Sequence, residues 1–535
     1  MEVLDNATIG ARLDEYAALL ELADASPFSV RAYRRAAELV RTTPAPVAEL
    51  VQAGRVRELR GIGPGIERRL RELVETGDIA ELRELARTIS PEIAAFGRLL
   101  GIGARRATDI AAALGVRTVD EFRAAADSGR LREAPGVGPK TDARIRDALA
   151  RSARAPSRPV LLHRARALVE RIASQLGGVA AGDPRRWQDA CTWLAVVAPD
   201  GGDFAALPDI VTLLDPNLGV TSDGVPVELV VAPPESWGSA LLRATGSPEW
   251  VAALGSLPDA PSEEGVFAAL GMPFVPPELR EGTPGRDVPD LVEVAEIRGD
   301  LHCHTRWSDG KASVLAMGTA ARDRGYEYLA ICDHTPNVTV VPGLDADALR
   351  CQAEEIAEAN QQLAPFRLLR GAECDIRRDG SLDLPDDVLS ELEWVQLSLH
   401  AGQRAPQAEL TARVTEAMRH PAVRCLSHPT GRLIGHRPEN ALDLERTFEV
   451  ALETGVALEV NGLPSRLDLS GEHVRAALDA GVRIVCSTDA HSIEGLANIE
   501  LAVHTARRGG ARAMDVVNTQ PLSSVLRARI EANRA

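Results

Sequence analysis

The sequence lacks any charge-free run of about 18 apolar residues, the length that a membrane-spanning helix needs. Its first residues, MEVLDNATIGARLDEY, lack the basic-then-apolar pattern of a secretory signal. The seven cysteines form no C-x-x-C pair, which argues against a disulfide framework and against a zinc-finger site. These absences predict a cytoplasmic protein with no membrane partner.

Lysine is also scarce, because Lys140 and Lys311 are the only two and arginine supplies the rest of the 60 basic residues. The formal net charge is −17, yet residues 51–166 hold 23 basic and 15 acidic residues, a net charge of +8. Residues 1–50 contribute −3, which leaves −22 for residues 167–535. A basic segment beside an acidic one suggests an anion-binding front part and a carboxylate-rich back part. A length of 535 residues predicts several domains.

Three short elements share one pattern: an apolar residue, a G-[IV]-G turn and then an amphipathic helix. They are LRGIGPGIERRLREL (59–73), LLGIGARRATDIAAAL (99–114) and APGVGPKTDARIRDAL (134–149). Glycine allows close backbone approach, and the helix N-terminus behind it offers free N–H groups to a phosphate. Three such turns predict helix-hairpin-helix modules that bind the DNA backbone without reading sequence, and purely structural αα-hairpins are the alternative. The predicted DNA-binding residues are Gly61, Gly63, Gly65, Gly101, Gly103, Gly136, Gly138 and Lys140.

Histidine gives the clearest chemical pattern, because ten of the 11 lie after residue 300 and six of these end strand-like runs beside acids. The stretches are DLHCHTRWSDG (300–310), ICDHT (331–335), GAECDI (371–376), SLHAG (398–402), LSHPTG (426–431) and STDAH (487–491). Strand-like runs alternate here with helical patterns, which predicts a parallel α/β fold, plausibly a barrel whose strand ends share one mouth. Imidazoles and carboxylates at such a mouth suit zinc, manganese or iron and indicate multi-metal hydrolysis.

These motifs resemble those of the PHP (polymerase and histidinol phosphatase) domain, which implies a distorted (β/α)7 barrel with a trinuclear metal site at residues 298–535. The resemblance implies three sets of ligands: His302, His304, Glu373 and Asp489; Glu373, His400 and His428; Asp309, His334 and His491. It implies bound Mn²⁺, Zn²⁺ or Fe²⁺ and catalytic roles for Asp309, His334 and Arg432, the last through a substrate phosphate. We expect His420, His473 and His504 to lie on solvated helices.

The order of the segments is similar to that of bacterial family X DNA polymerases over nearly the whole chain. Besides the hairpins and the PHP motifs, the resemblance rests on SPFSVRAYRRAA (26–37), GDPRRW (182–187), VELVVAPPESWGSALLRATGS (227–247) and VFAALGMPFVPPELRE (266–281). It implies a multidomain chain with a helical DNA-binding region and the first hairpin at 1–80 and fingers-like hairpins at 81–155. A palm- and thumb-like α/β region of nucleotidyltransferase type would follow at 156–285, ahead of the PHP domain at 298–535.

Polymerase chemistry needs two metal ions held by three carboxylates on adjacent strands, and this sequence lacks two of them. Counted from the Gly182 turn, the family's D-x-D falls on Trp193 and Ala195, and its third carboxylate falls on Glu228. The turn keeps two arginines, Arg185 and Arg186. The polymerase site is therefore predicted to be degenerate, and only a register shift would let Asp189 restore it.

A second activity of the family, the 5′-deoxyribose phosphate lyase, uses a lysine amine to form a Schiff base. The first hairpin places Gly65 and Arg69 where lysines are expected, and arginine stays protonated, which argues against that activity.

The sequence thus predicts a DNA-repair phosphoesterase. Its PHP domain would act as a 3′–5′ exonuclease, clean 3′ ends or incise abasic sites, and its inactive polymerase-like half would bind gapped or 3′-end DNA irrespective of sequence. The alternatives are an active gap-filling polymerase, a nuclease-dead DNA-binding scaffold and a small-molecule phosphatase of the histidinol-phosphatase type. The expected oligomeric state is a monomer.

Overall fold

The computed structural model describes residues 4–23, 25–43, 45–59, 61–150, 156, 158–285, 287–338 and 341–527. They form two compact units, so the chain is multidomain as expected. The first unit runs to Arg185 and resumes at Ala190–Met272, and the second comprises Arg186–Asp189 and the chain from Pro273 onward. The four domain boundaries given above stay predictions. Among the described residues, no helix is both long enough and apolar enough to cross a bilayer.

The first unit is helical up to residue 150 and mixed beyond it. Its helices are α1 (Asn6–Leu22), α2 (Pro27–Thr42), α3 (Val47–Gln52), α4 (Pro64–Thr76), α5 (Ala80–Thr88), α6 (Pro91–Leu99), α7 (Ala104–Leu114), α8 (Val119–Asp127), α9 (Pro139–Ala150), α10 (Leu162–Gln175), α11 (Trp237–Thr245), α12 (Pro248–Leu254) and α13 (Glu263–Ala269). Its strands are β1 (Val160–Leu161), β2 (Val179–Gly182), β3 (Ala190–Cys191), β4 (Leu194–Ala198), β5 (Thr212–Asp215), β6 (Leu218–Val220) and β7 (Pro226–Val231). Short 3₁₀ turns cover Val56–Glu58, Arg130–Glu133, Phe204–Ala206 and Pro234–Ser236.

The three G-[IV]-G turns share two backbone features. The first glycine of each turn has a positive φ, which side chains disfavour: Gly61 (111°), Gly101 (69°) and Gly136 (78°). The second glycine of each turn accepts the first backbone hydrogen bond of the helix behind it: Gly63 for α4, Gly103 for α7 and Gly138 for α9. A Cβ added to any of these second glycines would meet no atom within 4 Å, so all three helices begin facing open space.

A five-stranded sheet of order β2-β4-β7-β6-β5 follows the hairpins in the first unit. Strands β4 and β7 run parallel, with Ala195 directly beside Glu228, and the other neighbouring pairs are antiparallel. Between β2 and β3, Asp183 accepts the backbone N–H groups of Thr192 at 2.6 Å and of Trp193 at 2.9 Å. These bonds fix the residues immediately before β4 against the turn that follows β2.

The second unit alternates strands and helices along the chain. Its strands are β8 (Gly299–Cys303), β9 (Tyr328–Ile331), β10 (Arg367–Asp375), β11 (Trp394–Ser398), β12 (Val423–Leu426), β13 (Ala457–Asn461) and β14 (Ile484–Ser487). Its helices are α14 (Val314–Asp323), α15 (Ala346–Leu363), α16 (Asp386–Glu391), α17 (Gln407–Met418), α18 (Leu444–Thr454), α19 (Gly471–Asp479), α20 (Ile499–Arg508) and α21 (Leu522–Arg527). Its 3₁₀ turns cover Pro277–Leu279, Val294–Glu296, Glu494–Asn498, Ala513–Asp515 and Val517–Thr519.

The seven strands of the second unit form a parallel sheet in chain order, from β8 to β14. A parallel bridge between Cys303 and Ala490 connects the ends of the first and last strands, so the sheet is nearly closed. Every residue of β8, β9, β11, β13 and β14 is buried, as expected for strands covered on both faces. The prediction of an α/β barrel is confirmed.

The expectation that His504 lies on a solvated helix is wrong. Its Nδ1 lies 2.7 Å from Glu278 Oε1, and its ring stacks on Trp187 with the ring centroids 3.6 Å apart. Arg507 Nε donates to the same oxygen of Glu278 at 2.6 Å. Burial alone would raise the pKa of Glu278, but the His504 hydrogen bond and the charge of Arg507 outweigh burial and lower the pKa to about 2.

Replacing Glu278 with Gln should destabilise the second unit by roughly 2 to 3 kcal/mol at pH 7, because His504 and Arg507 lose the buried charge that faces them. A depressed carboxyl pKa stabilises the fold fully above the unfolded value of 4.5, and this contribution disappears as the pH falls through about 2. Denaturant unfolding of Glu278→Gln, with the exposed Glu358→Gln as control, should show about half the difference at pH 3. A difference independent of pH would contradict this assignment.

Candidate metal centre

The predicted metal ligands all lie at the carboxyl ends of the barrel strands. His302 lies in β8 with His304 and Asp309 after it, His334 follows β9, Glu373 lies in β10, His400 follows β11, His428 follows β12, and Asp489 and His491 follow β14. Neighbouring parallel strands end at the same edge of a sheet, so the barrel brings side chains nearly 190 residues apart in sequence to one mouth.

The donor atoms approach one another in three groups, each with all its atoms within 4.8 Å. The groups are His302, His304 and Asp489; His334, Glu373 and His400; and His304, Asp309, His334 and His491. His428 adjoins the second group through its Nε2, which lies 2.9 Å from Glu373 Oε1. The fold therefore brings all nine predicted donors together. It differs in detail from the grouping that the resemblance implies, because His334 lies beside Glu373 as well as near Asp309.

Glu373 lies at the centre of these groups and is 1% exposed. Its Oε2 is 2.7 Å from His334 Nδ1, 3.7 Å from His302 Nε2 and 3.8 Å from His304 Nε2. Neither Glu373 Oε2 nor His334 Nδ1 has a hydrogen-bond partner among the described residues. Burial opposes ionisation, but the imidazoles of His334, His400 and His302 hold the pKa of Glu373 well below its usual range. A buried carboxylate oxygen that lies within 4 Å of three imidazole nitrogens and has no hydrogen-bond partner in the described part of the chain fits a divalent cation shared by these groups.

The third group is the open side of the centre. The side chains of Asp309 and His491 are 27% and 31% exposed, whereas that of His304 is fully buried. Burial opposes both charges, but the contact between Asp309 Oδ2 and His491 Nε2, at 3.3 Å, lowers the pKa of Asp309 to about 2 and raises that of His491 to about 9. A hydrolytic metal centre needs such an open position to admit its substrate.

The sequence reasoning missed Glu459, a fully buried carboxylate on β13. Its Oε1 lies 2.7 Å from His302 Nδ1, and its Oε2 accepts the backbone N–H of His428 at 2.7 Å. Ser487 Oγ also donates to it, at 2.6 Å. A carboxylate on one imidazole nitrogen fixes the ring so that the other nitrogen faces the metal. A charged residue inside the apolar run VALEVN (456–461) was the available signal.

Two acidic residues beside the ligands support loops and join none of the three donor groups. Asp333 accepts the backbone N–H of Thr305 at 2.8 Å and so anchors the turn that carries Asp309. Asp375 accepts the backbone N–H of His400 at 2.9 Å. Both carboxylates therefore hold ligand-bearing backbone in place.

Arg432, for which a phosphate contact is predicted, lies on the loop after β12 and its side chain is 13% exposed. Its Nε donates to the carbonyl oxygen of Arg466 at 2.9 Å, and its Nη2 lies 2.6 Å from Asp189 Oδ2. Two of its donors are thus directed at protein groups, and the phosphate contact stays a prediction.

In the first unit, the three positions expected to carry polymerase carboxylates lie together. Ala195 pairs with Glu228 across β4 and β7, and Trp193 lies two residues before Ala195, immediately ahead of β4. The indole Nε1 of Trp193 donates to Glu228 Oε2 at 3.0 Å. The metal-ligating clusters found among the described residues all belong to the second unit.

The two arginines of the turn make ion pairs. Arg185 binds Glu263 through both terminal nitrogens, at 2.8 and 2.7 Å, and also donates to Thr245 Oγ1 at 2.7 Å. Arg186 Nε donates to Glu281 at 2.5 Å. Both guanidinium groups are therefore engaged by carboxylates of the protein.

Replacing Glu459 with Gln should weaken divalent-metal binding roughly 10- to 100-fold, because His302 loses the carboxylate that orients it. Calorimetric titration of metal-stripped protein with Mn²⁺ or Zn²⁺ measures the change. Glu445→Gln, on the exposed face of α18, is the matched control and should bind metal like the wild type. Unchanged affinity in Glu459→Gln, together with a loss in His302→Ala, would show that Glu459 has no such role.

Family models match the hairpin region. Residues 4–79 match a helix-hairpin-helix domain and residues 94–151 match a SAM-like helix-hairpin-helix tandem, which confirms the helix-hairpin-helix prediction. Two shorter relatives are named probable phosphatases. The one from Acetivibrio thermocellus is 30% identical over 202 residues, 36% of this chain and 78% of that protein. The one from Aliivibrio fischeri is 28% identical over 220 residues, 38% of this chain and 82% of that protein.

One relative matches almost end to end. The DNA polymerase/3′-5′ exonuclease PolX of Bacillus subtilis is 31% identical over 559 residues, 96% of this chain and 97% of that protein. The match spans the hairpins, the five-stranded sheet and the barrel with its cluster of donors. This chain belongs to the bacterial family X DNA polymerases that carry a PHP domain.

Proposed function

We propose that the second unit hydrolyses phosphodiester bonds at DNA 3′ ends in a reaction that depends on divalent metal ions. The convergence of nine imidazole and carboxylate donors around Glu373 carries this proposal. The names of the relatives, a polymerase/3′-5′ exonuclease and two probable phosphatases, agree with phosphoester chemistry. Cleaning of 3′ ends and incision at abasic sites are further forms of the same reaction.

Three divalent ions, Mn²⁺, Zn²⁺ or Fe²⁺, would be held by the nine predicted ligands. When bound, such ions supply hydroxide from water at neutral pH and stabilise charge on phosphoryl oxygens. Asp309 and His334 are the proposed catalytic residues because both belong to the open group of donors. The Asp309 carboxylate is ionised at neutral pH, so that it accepts hydrogen bonds rather than donating them.

The hairpins of the first unit are the proposed DNA-binding surface. Three helices begin at open glycine turns, and residues 51–166 carry a net charge of +8. Helix N-termini and basic side chains bind phosphate without reading bases. This surface explains why a metal-dependent hydrolase carries residues 4–79 and 94–151, which a small-molecule phosphatase would not need.

The polymerase-like site is proposed to be inactive. Trp193 and Ala195 bring no carboxylate to Glu228, and the hydrogen bond from Trp193 engages the one that remains. Asp189 faces Arg432 at 2.6 Å and belongs to the second unit, which argues against its restoring the site by a register shift. Active gap filling is the second candidate function, because the Bacillus subtilis relative is named a polymerase.

One assay separates these functions. Wild type with Mn²⁺ should shorten a 3′-labelled strand on gapped DNA, and His302→Ala should lose the activity, because His302 is a buried donor of the first group. Added dNTPs should produce no extension. Extension by both proteins, abolished in Glu228→Ala, would instead establish the polymerase. Hydrolysis of small phosphomonoesters without cleavage of DNA would favour a phosphatase.

Replacing Gly138 with Asp should weaken DNA binding several-fold without loss of stability. The site is open, so the side chain fits, and a carboxylate at the start of α9 favours the helix while it repels phosphate. Anisotropy titration with labelled duplex measures the affinity. Gly201→Asp carries the same charge to another open glycine of the first unit and serves as the control. Equal affinities for the two variants would argue against the hairpin surface.

A further inference from the structure

The segment Arg186–Asp189 lies in sequence between two strands of the first unit, yet its contacts place it in the second unit. Trp187 stacks on His504 of α20, and Arg186 pairs with Glu281. Asp189 makes ion pairs with the second unit, and its side chain is 15% exposed. The family resemblance assigns this stretch to the nucleotide-binding turn of a polymerase, so its place in the metal-binding unit calls for another role.

Asp189 binds two arginines at once. Its Oδ2 lies 2.6 Å from Arg432 Nη2, and its Oδ1 lies 2.6 Å from Arg508 Nη1. Both arginine side chains are nearly buried, at 13% and 12% exposed. Without the carboxylate between them, two like charges would face each other in a poorly solvated place. Asp189 therefore fixes where the guanidinium of Arg432 lies.

Arg432 in turn holds the loop between β13 and α19. Its Nε donates to the carbonyl oxygen of Arg466 at 2.9 Å, and its Nη2 also contacts the carbonyl oxygen of Leu467. Leu467 has a φ of 45°, a conformation that a branched side chain disfavours and that neighbouring contacts must maintain. Arg432 therefore connects Asp189 to the backbone of this loop.

The loop brings Arg466 against the metal centre. Arg466 Nε lies 3.8 Å from Asp489 Oδ2, and Asp489 is one of the donors of the first group. Arg466 Nε and Nη1 are buried and have no hydrogen-bond partner among the described residues. A cation with uncommitted donors beside this carboxylate adds positive charge to the metal centre, which favours binding of a negative phosphodiester.

We propose that Asp189 is a positioning residue for the metal centre: through Arg432 it fixes the loop between β13 and α19 and so holds Arg466 beside Asp489. The contacts thus connect Asp189, in the turn after β2, through Arg432 and the loop that carries Arg466, to Asp489 of the metal centre. The proposal rests on the proposed function, because its effect is measured on phosphodiester cleavage.

The test is a double-mutant cycle in the full-length protein, with Mn²⁺-dependent cleavage of 3′-labelled DNA as the reaction. Asp189→Asn and Arg432→Met should each raise KM and lower kcat/KM by roughly 3- to 30-fold, with bound Mn²⁺ unchanged. The double variant should lose no more than Arg432→Met alone, because both changes release the same loop. Asp189→Glu keeps the charge and should recover much of the activity.

A matched control comes from an exposed carboxylate of the second unit. Glu358→Gln removes a negative charge from α15 and leaves Asp189 with both arginines, so its kcat/KM should equal that of the wild type. The proposal is overturned if Asp189→Asn cleaves DNA like the wild type, if its loss adds fully to that of Arg432→Met, or if the loss follows from lower Mn²⁺ content. A wild type without metal-dependent cleavage would overturn the proposed function itself, and this proposal with it.

Discussion

A carboxylate buried among five imidazoles is the constraint on which the second unit depends. Glu373 Oε1 or Oε2 lies within 4 Å of a ring nitrogen from His302, His304, His334, His400 and His428. Taking these groups out of water costs free energy. The hydrogen bond between His428 Nε2 and Glu373 Oε1 recovers only part of this cost, since Glu373 Oε2 has no hydrogen-bond partner among the described residues. Such an arrangement is stable only where the rest of the fold holds these side chains in place and where bound cations compensate for the lost hydration.

The barrel provides that frame in two ways. Parallel strands in chain order bring each donor to one edge, and the Cys303–Ala490 bridge joins the first strand to the last. Around the donors, Glu459 orients the imidazole of His302, and Asp375 accepts a hydrogen bond from the backbone N–H of His400. The geometry of the centre is therefore fixed by strand register and by these outer carboxylates, which makes their removal as consequential for the site as loss of a ligand.

The sequence predicted what depends on local pattern. Strand-end histidines identified the barrel and its mouth, and repeated glycine turns identified the hairpins, because both signals need only short-range spacing. The role of Glu459 was not predicted because it depends on which face of the strand points inward. The contacts of His504 were not predicted because Glu278 and Trp187 come from distant parts of the chain. The register places Ala195 beside Glu228, so that two of the positions compared with polymerase carboxylates are neighbours in the sheet.

For the turn between β2 and β3, sequence spacing does not predict which groups the charged side chains contact. Two adjacent arginines after a glycine suggest a phosphate-binding loop, yet the structure pairs Arg185 with Glu263 of the first unit and Arg186 with Glu281 of the second. Each carboxylate lies more than 75 residues away in sequence. The carboxylate of Glu263 is buried and that of Glu281 is exposed, but either arginine would have to give up an existing ion pair to bind a phosphate. The charged side chains of this turn therefore make their contacts within the protein, a pattern that the position of the two arginines in the sequence does not predict.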